Sequence, residues 1–278
     1  MDKKVWFITG AARGVGLSLA RQLLARGDFV AATSRTLQSL QHVPEAQSER
    51  FLPLEVDLRS EASVQSAIGK TVARFGRIDV VVNNAGYGQY GALETLSDVE
   101  LRGNFDINVF APLHVIRHVL PHLREQQRGH IFNIASIVGF QGGYAGWGSY
   151  VASKFALAGL TEALAAEVAE LGITATVVYP GPVRTGFLSD ASLKAASHTP
   201  PAYRAAQASL DLHLNELAGK QAGDPEKLAL LMIQAASVSA PPLHLFSGKI
   251  AHQLAQEKIS AVSQDLAHWQ GAGEATDY

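Results

Sequence analysis

The chain has 278 residues, of which 47% are hydrophobic and only 17% charged, and its 23 basic and 25 acidic side chains leave a formal net charge of −2. That length suits one large α/β domain or two small ones, and the near-neutral balance offers neither the basic excess that binds nucleic acid nor the acidic run of a disordered tail. No cysteine is present, which excludes a disulfide framework, thiolate metal sites and thiol catalysis.

The elements alternate from the start. After Met1-Asp2-Lys3-Lys4, only four apolar residues precede Thr9-Gly10, too few for the apolar region of a signal peptide. Val5–Thr9 predicts a strand, and Val15–Ala25 a helix with Val15, Leu19, Ala20, Leu23 and Leu24 on one face. Phe29–Thr33 and Phe51–Val56 are strand-like, Glu61–Phe75 helical, and Asp79–Val82 a fourth strand. Asp98–Leu120 predicts a helix, with Pro121 disturbing it before His122. Ile131–Ala135, the long Ala-rich helix Tyr150–Leu171 and the strand Ile173–Tyr179 follow. Continuous apolar strands separated by helices point to a parallel sheet covered on both faces. The uncharged stretch Ile131–Ser153 could span a bilayer by length, but Asn133, Ser136, Gln141, Ser149 and five glycines argue against it. The chain reads as soluble and cytoplasmic, a single domain over 1–278.

After Pro180-Gly181-Pro182 the pattern loosens. Residues 186–223 read as an irregular helical insertion suited to a substrate lid. Asp224 and Pro225 mark the start of a helix to Ala236, Leu243–Phe246 is a candidate edge strand, and Lys249–Trp269 is an amphipathic helix within a tail, 249–278.

The first strand runs into Thr9-Gly10-Ala11-Ala12-Arg13-Gly14-Val15-Gly16 and a helix follows at once. In that context Gly10 permits the tight turn, Gly14 the approach of a pyrophosphate, and Gly16 close packing of helix on sheet, with the helix N-terminus facing the phosphates. An NAD site favours an acid at the end of the second strand. Here Ser34-Arg35 stands there, and Arg13 lies in the glycine loop, so the pattern points to the 2′-phosphate of NADP(H).

Tyr150-Val-Ala-Ser-Lys154 places a phenol and an ammonium one helical turn apart. Ionising the phenol at neutral pH needs a shift of about 3 units, or about 4 kcal/mol. An ammonium about 4 Å away at an effective dielectric near 20 supplies roughly that. Ser136, ending the strand before, is placed to bond the same substrate oxygen.

These elements, together with Asp57-Leu58, Asn83-Asn84-Ala85-Gly86, Asn108 and Pro180-Gly181 with Thr185, resemble the short-chain dehydrogenase/reductase family in its short single-domain form. The resemblance covers nearly all of Val5–Thr185. It implies a Rossmann-type doubly wound α/β sheet and an NADPH-dependent oxidoreductase acting on a carbonyl or secondary alcohol. Tyr150 would be the general acid/base, Ser136 would polarise the carbonyl, Lys154 would hold the nicotinamide ribose and lower the Tyr150 pKa, and Asn108 would hold a water leading to solvent. Asp57 and Leu58 would contact adenine, and Asn84, Ala85 and Gly86 would line the adenosine ribose. Pro180, Gly181, Val183 and Thr185 would wrap the nicotinamide end, while Val15 belongs to the phosphate loop. Two points depart from the pattern. The Ser136–Tyr150 interval of 14 residues is slightly long, with the extra residue expected at Gly142-Gly143, and Asn104 lies one turn from Asn108.

The substrate pocket is expected to draw on Gln89, Tyr90, Phe140, Tyr144, Trp147, Phe187 and Tyr203. No Arg or Lys lies in Ile137–Ser149, which favours an uncharged, hydrophobic substrate; the overall pattern resembles a group near the steroid- and retinol-type dehydrogenases. His114, His118 and His122 have metal-ligand spacing but no carboxylate or thiolate partner in the sequence pattern, so no metal is expected and a solvated or subunit-facing surface is. Phe155, Ala158, Ala163 and Ala166 form a smooth second face on the Ala-rich helix. The resemblance makes that helix and Asp98–Leu120 a dimer interface, giving a homodimer or homotetramer. The alternative function is a non-catalytic NADP(H)-binding regulator of the same fold.

Overall fold

The computed structural model describes residues 3–43, 46–189 and 192–278. Met1 and Asp2, and Asp190 and Ala191 within the expected lid, lie outside them. Seven parallel strands form one sheet in the order β3-β2-β1-β4-β6-β7-β9. They are β1 (Val5–Ile8), β2 (Phe29–Ser34), β3 (Phe51–Glu55), β4 (Val80–Asn83), β6 (Gly129–Ile134), β7 (Ile173–Pro180) and β9 (His244–Ser247). Trp6 pairs with Val30 on one side and Val80 on the other, so the strand order reverses about β1. The crevice that receives a ligand in such sheets opens there, at the carboxyl ends.

The strands are apolar on both faces because helices cover both. On one side, α1 (Gly14–Ala25) and α7 (Pro225–Ala235) bury Leu19, Leu23, Met232 and Ile233 against Trp6, Ile8 and Phe132. On the other, α2 (Glu61–Phe75), α4 (Ala111–Gln126) and α5 (Gly148–Val168) bury Ile68, Val115, Val119 and Leu164 against Phe7, Val81 and Ile131. Asp224 caps α7 as the sequence predicts, accepting from Glu226 N at 2.8 Å with Pro225 following it, and Ser60 caps α2, accepting from Ser63 N at 3.3 Å.

Three regions differ from expectation. The Asp98–Leu120 helix is α3 (Asp98–Phe105), a π-helical turn (Asp106–Phe110) and α4, which runs through Pro121 to Gln126. Burial of Val115, Ile116, Val119 and Leu123 on both sides of Pro121 holds the helix despite the lost hydrogen bond. The 186–223 insertion holds a short strand, β8 (Leu193–Ala195), paired in parallel with β5 (Gly88–Tyr90), and then α6 (Arg204–Asp211) with a π-helical turn to Leu217. Three-residue strands are too short to show alternation in a sequence. Finally α8 (Lys249–Glu274) runs beyond Trp269. Among the described residues, no helix is long and apolar enough to cross a membrane.

Candidate active site

The glycine loop leaves β1 and turns at Gly10 (φ +67°) and Gly14 (φ +54°), left-handed conformations in which a side chain is strained. A Cβ on Gly16 would lie 2.6 Å from both Gly10 O and Asn84 Nδ2, so nothing larger than glycine fits. The loop is stitched to the strand beside it. Thr9 Oγ1 accepts from Asn84 N and Ala85 N, both at 3.0 Å, and Asn84 Nδ2 donates to Thr9 O and Gly10 O. The first turn of α1, where Val15 stands, carries no acidic residue and its N-cap, Arg13, makes no side-chain cap, leaving the end of the helix dipole suited to an external anion. Thr185 faces this loop: a Cβ on Gly14 would meet its methyl at 3.3 Å.

Arg13 and Arg35 converge at the end of β2. Burial first, and then the charge of Arg35, holds the Arg13 pKa below its ordinary value. Like charges gathered in a cleft fit a group carrying extra negative charge. Ser34 Oγ lies 2.6 Å from Ser39 Oγ. Because Ser39 donates to Thr36 O, Ser34 is the donor of that pair. Asp57, after β3, is bound by Arg59 at 3.1 Å, whose hydrogen bonds hold its carboxyl below the usual range. Leu58 follows, its carbonyl accepting from His114 Nδ1 at 3.1 Å. At the other end of the crevice, Gly181 N donates to Ser247 O at 2.9 Å, and Val183 bridges to Gly223. These contacts fix the turn after Pro180. The glycine cradle, the open helix end and the neighbouring guanidinium groups of Arg13 and Arg35 fit a dinucleotide.

The four expected catalytic residues also meet. Tyr150, in the first turn of α5, is buried, and Ser136, just past the end of β6, is near enough for its hydroxyl to bear on the phenol's pKa. Lys154, one turn on, is buried with Nζ donating to Ile134 O at 2.7 Å. Asn108 reaches the same place from the π-helical turn, an irregularity that re-aims side chains and recurs at functional sites. Its Oδ1 accepts from Tyr87 N at 3.1 Å, and its Nδ2 donates to Tyr87 O and to Ser153 Oγ, each at 3.0 Å. A Cβ on Gly86 would lie 3.1 Å from Asn108 Oδ1 and 3.4 Å from Lys154 Nζ, so glycine lets these groups approach. Asn104 is turned to Tyr87 O and Ser149 Oγ instead.

The electrostatics correct one expectation. Burial pushes the Tyr150 phenol well above its ordinary value, and only the Ser136 hydroxyl opposes this. Lys154 does not lower it: Nζ stands 5.8 Å from the ring centroid, and burial takes the lysine itself down to about 7. Desolvation disfavours both charged forms, and it outweighs the attraction between them.

Around Tyr150 lies an apolar cluster. Trp147 packs at 5.9 Å and Phe187 at 5.5 Å from its ring, Tyr90 stands edge-on to Trp147 at 5.3 Å, and Tyr144, Tyr203 and Leu193 complete it. Two of the expected pocket residues lie elsewhere. Phe140 packs on Tyr179 and Phe246, at 5.6 and 5.2 Å, beneath α8. Gln89 is fully buried on the face of β5 opposite Gly88 and Tyr90. It is Gly88 whose Cβ would meet Trp147 and Phe187, so strand alternation turns Gln89 away from them. The sequence reading missed His213, whose ring lies 4.9 Å from Trp147, because nothing in its irregular segment sets it apart. It also missed Thr9 and Ser153; their position beside the glycine loop and beside Lys154 was an available signal.

His114 and His118 are half-buried and held by the chain itself: His114 Nδ1 donates to Leu58 O and His118 Nε2 to Glu61 Oε1 of α2, each at 3.1 Å. No cluster of metal-ligating side chains occurs among the described residues.

Residues 4–196 match the family model described as short chain dehydrogenase. The chain is 34% identical over 267 residues to "Oxidoreductase BOA17" of Botryotinia fuckeliana (strain B05.10), covering 96% of each. It is 37% identical over 194 residues, 69% of each, to a 3-ketodihydrosphingosine reductase of Bacteroides thetaiotaomicron. The crystal structure of a short-chain dehydrogenase from Streptomyces avermitilis superposes with a TM-score of 0.91 at 34% identity, over 99% of both chains. Other structures of similar fold hold NADP in some cases and NAD or NADH in others.

Proposed function

The chain belongs to the short-chain dehydrogenase/reductase family, and on that premise we propose that it is an NADPH-dependent reductase of an uncharged, apolar ketone or aldehyde. The observation that carries this reading is the buried Tyr150 phenol, one helical turn from buried Lys154 and beneath an aromatic cluster. NADPH, when bound, supplies the hydride. Gly10, Gly14 and Gly16 would cradle its pyrophosphate, Arg13 and Arg35 its 2′-phosphate, and Lys154 the nicotinamide ribose.

The Ser136 and Tyr150 hydroxyls hold the substrate oxygen and polarise its carbonyl. Tyr150 is neutral because it is buried, so it enters the reaction carrying the proton that the developing alkoxide needs. The resulting phenolate is reprotonated from the side where Lys154 and Asn108 meet. With a pKa of about 7, Lys154 can both lend and regain a proton at neutral pH.

The substrate class rests on the walls. Trp147, Phe187, Tyr144 and Leu193 are apolar, and Arg184, after the Pro-Gly turn, is spent on Gln221 O at 3.0 Å. The relative named as a 3-ketodihydrosphingosine reductase accords with a ketone. The exposed side of α5, with Phe155, Ala163 and Ala166, and Phe110 in the π-helical turn are the proposed homodimer face. Ala158 is not part of it, being buried against Val177 and Tyr179.

The test is NADPH consumption, with NADH in parallel, on a panel of apolar ketones. Turnover that Tyr150→Phe abolishes while NADPH still binds supports the reading. A protein that binds NADPH and turns over none of the panel is instead a regulator, and turnover retained by Tyr150→Phe overturns the assignment.

A further inference from the structure

A second cleft opens at the amino ends of the strands, at the opposite end of the sheet from the glycine loop. It has a volume of about 580 Å³ and lies between the starts of β1, β4 and β6 and the end of α7. Four basic side chains line it, Lys4, Arg26, Arg77 and Arg128, against two acids, Asp28 and Asp79, although the chain as a whole carries a formal charge of −2. The acids are spent on the fold. Asp28 accepts from Lys4 N at 3.0 Å, and Asp79 Oδ2 accepts from Val5 N at 2.8 Å and from Arg77 Nε at 2.9 Å, so both hold the entry to β1. Lys4 Nζ donates to Ala236 O at the end of α7, and Arg77 donates also to Lys3 O. Arg26 and Arg128 are left over. They stand 3.5 Å from Asp28 and 3.8 Å from Asp79, and neither guanidinium donates a hydrogen bond among the described residues. Trp6, another wall of the cleft, is 2% exposed, and its Nε1 has no acceptor. His130 gives its Nε2 proton to Thr176, whose own proton goes to Pro242 O, and burial keeps it neutral.

We propose that this cleft binds a small organic oxyanion, a carboxylate or a phosphate ester, through the Arg26 and Arg128 guanidinium groups. What the cleft lacks is acceptors. A guanidinium with donors to spare takes two oxygens of such a group in a fork, and a buried indole N–H without a partner is uncommon enough to call for one. A cation does not suit the site, because both carboxylates are already bonded to backbone N–H groups. An uncharged ligand would leave the basic excess uncompensated. The volume is that of a site for a small molecule. Arg26 and Arg128 are also dispensable to the fold. Their side chains are 43 and 62% exposed, ion pairs of that kind contribute little to stability, and Asp28 and Asp79 keep their backbone donors without them. This inference does not depend on the proposed substrate or cofactor, whose crevice lies at the other end of the sheet.

The test follows the indole N–H signals of the three tryptophans in the full chain by nitrogen-15 NMR, with Trp147→Phe and Trp269→Phe assigning that of Trp6 by elimination. Benzoate and phenyl phosphate, titrated separately, distinguish the two sources of the oxyanion. The one that binds moves the Trp6 signal saturably, and sodium chloride at equal ionic strength does not. Arg26→Ala with Arg128→Ala weakens that binding about tenfold or more. It also removes the rise in melting temperature that the anion gives the wild type, while the melting temperature without the anion is retained. Arg13→Ala with Arg35→Ala leaves the binding unchanged, which separates this cleft from the nucleotide crevice. A Trp6 signal that neither anion moves, an equal response to chloride, unaltered affinity in the Arg26 and Arg128 double variant, or loss of binding in the Arg13 and Arg35 double variant overturns the proposal.

Discussion

Replacing Arg35 with alanine tests the cofactor reading at the point where it is most exposed. In the structure Arg13 is repelled by Arg35. Glu55, the partner of Ser34 across the β2–β3 ladder, is turned to Leu37 N at 3.3 Å. A 2′-phosphate would gain a charge-assisted hydrogen bond from each guanidinium, about 1.5–3 kcal/mol apiece. Losing one predicts NADPH binding roughly 10- to 150-fold weaker. Relief of the repulsion on Arg13 draws the loss toward the lower end. NADH, which lacks that phosphate, changes little. Fluorescence titration with both nucleotides, at low and high salt, measures this. The wild-type NADPH affinity should fall with salt more steeply than that for NADH, and Arg35→Ala should reduce the difference. Adding Ser34→Asp should move preference to NADH. Equal weakening of both nucleotides, or tighter NADH binding by the wild type, refutes the argument.

Gly16→Ala should abolish nucleotide binding, because its Cβ would stand 2.6 Å from Gly10 O; calorimetric titration with NADPH checks it. His130, buried and donating Nε2 to Thr176 Oγ1 at 2.8 Å, is held at a pKa of about 3, first by burial and then by the charge of Lys4. Its unfolded form takes up a proton below about 6.5, so stability should fall by about 2 kcal/mol from this group between neutral pH and pH 5. Urea unfolding of wild type and His130→Gln at both values should differ by that amount in their pH dependence. Lys154 acts in the same sense at higher pH: its folded pKa of about 7 lies below the unfolded value, so its contribution makes stability rise with pH above 7. Lys154→Met should flatten that rise in thermal melts while eliminating turnover.

The sheet was legible because its strands are uninterrupted apolar runs, and the glycine loop because only glycine tolerates the backbone at Gly10 and Gly14. The site was legible where chemistry and fold share a residue: Tyr150 and Lys154 keep helical spacing whatever surrounds them. What the sequence concealed depends on contacts made far along the chain. The pairing of Gly88–Tyr90 with Leu193–Ala195 leaves too short a pattern, yet it decides that Gln89 turns away from the pocket. The packing of Phe140 under α8 depends on Phe246 and Ala251, more than a hundred residues later. The π-helical turn at Asn108 has no propensity signal. It follows from the need to bring Asn108 to Tyr87 and Ser153 while α3 and α4 continue on either side.

Burial of the catalytic pair bears on the direction of the reaction. A phenol raised by desolvation is a poor base and a ready proton donor to an alkoxide, which is more basic still. Oxidation of an alcohol would need that phenol ionised first, against the same desolvation, with Lys154 half-neutral beside it at pH 7. Ketone reduction starts from the protonation state the structure already favours, and alcohol oxidation does not. Reduction should therefore hold its rate across neutral pH, while oxidation should climb steeply as pH rises. Profiles of kcat for the two directions decide the matter, and a flat profile for oxidation would mean that Tyr150 ionises far more readily than its surroundings allow. The sparse charge of the chain has the same origin. The segment from Ile131 to Val183 carries Lys154, Glu162, Glu167 and Glu170 as its only charged residues, and Lys154 alone of these is buried at the site. An apolar pocket and two buried titratable groups require few other charges nearby, because each would alter the proton balance on which Tyr150 acts.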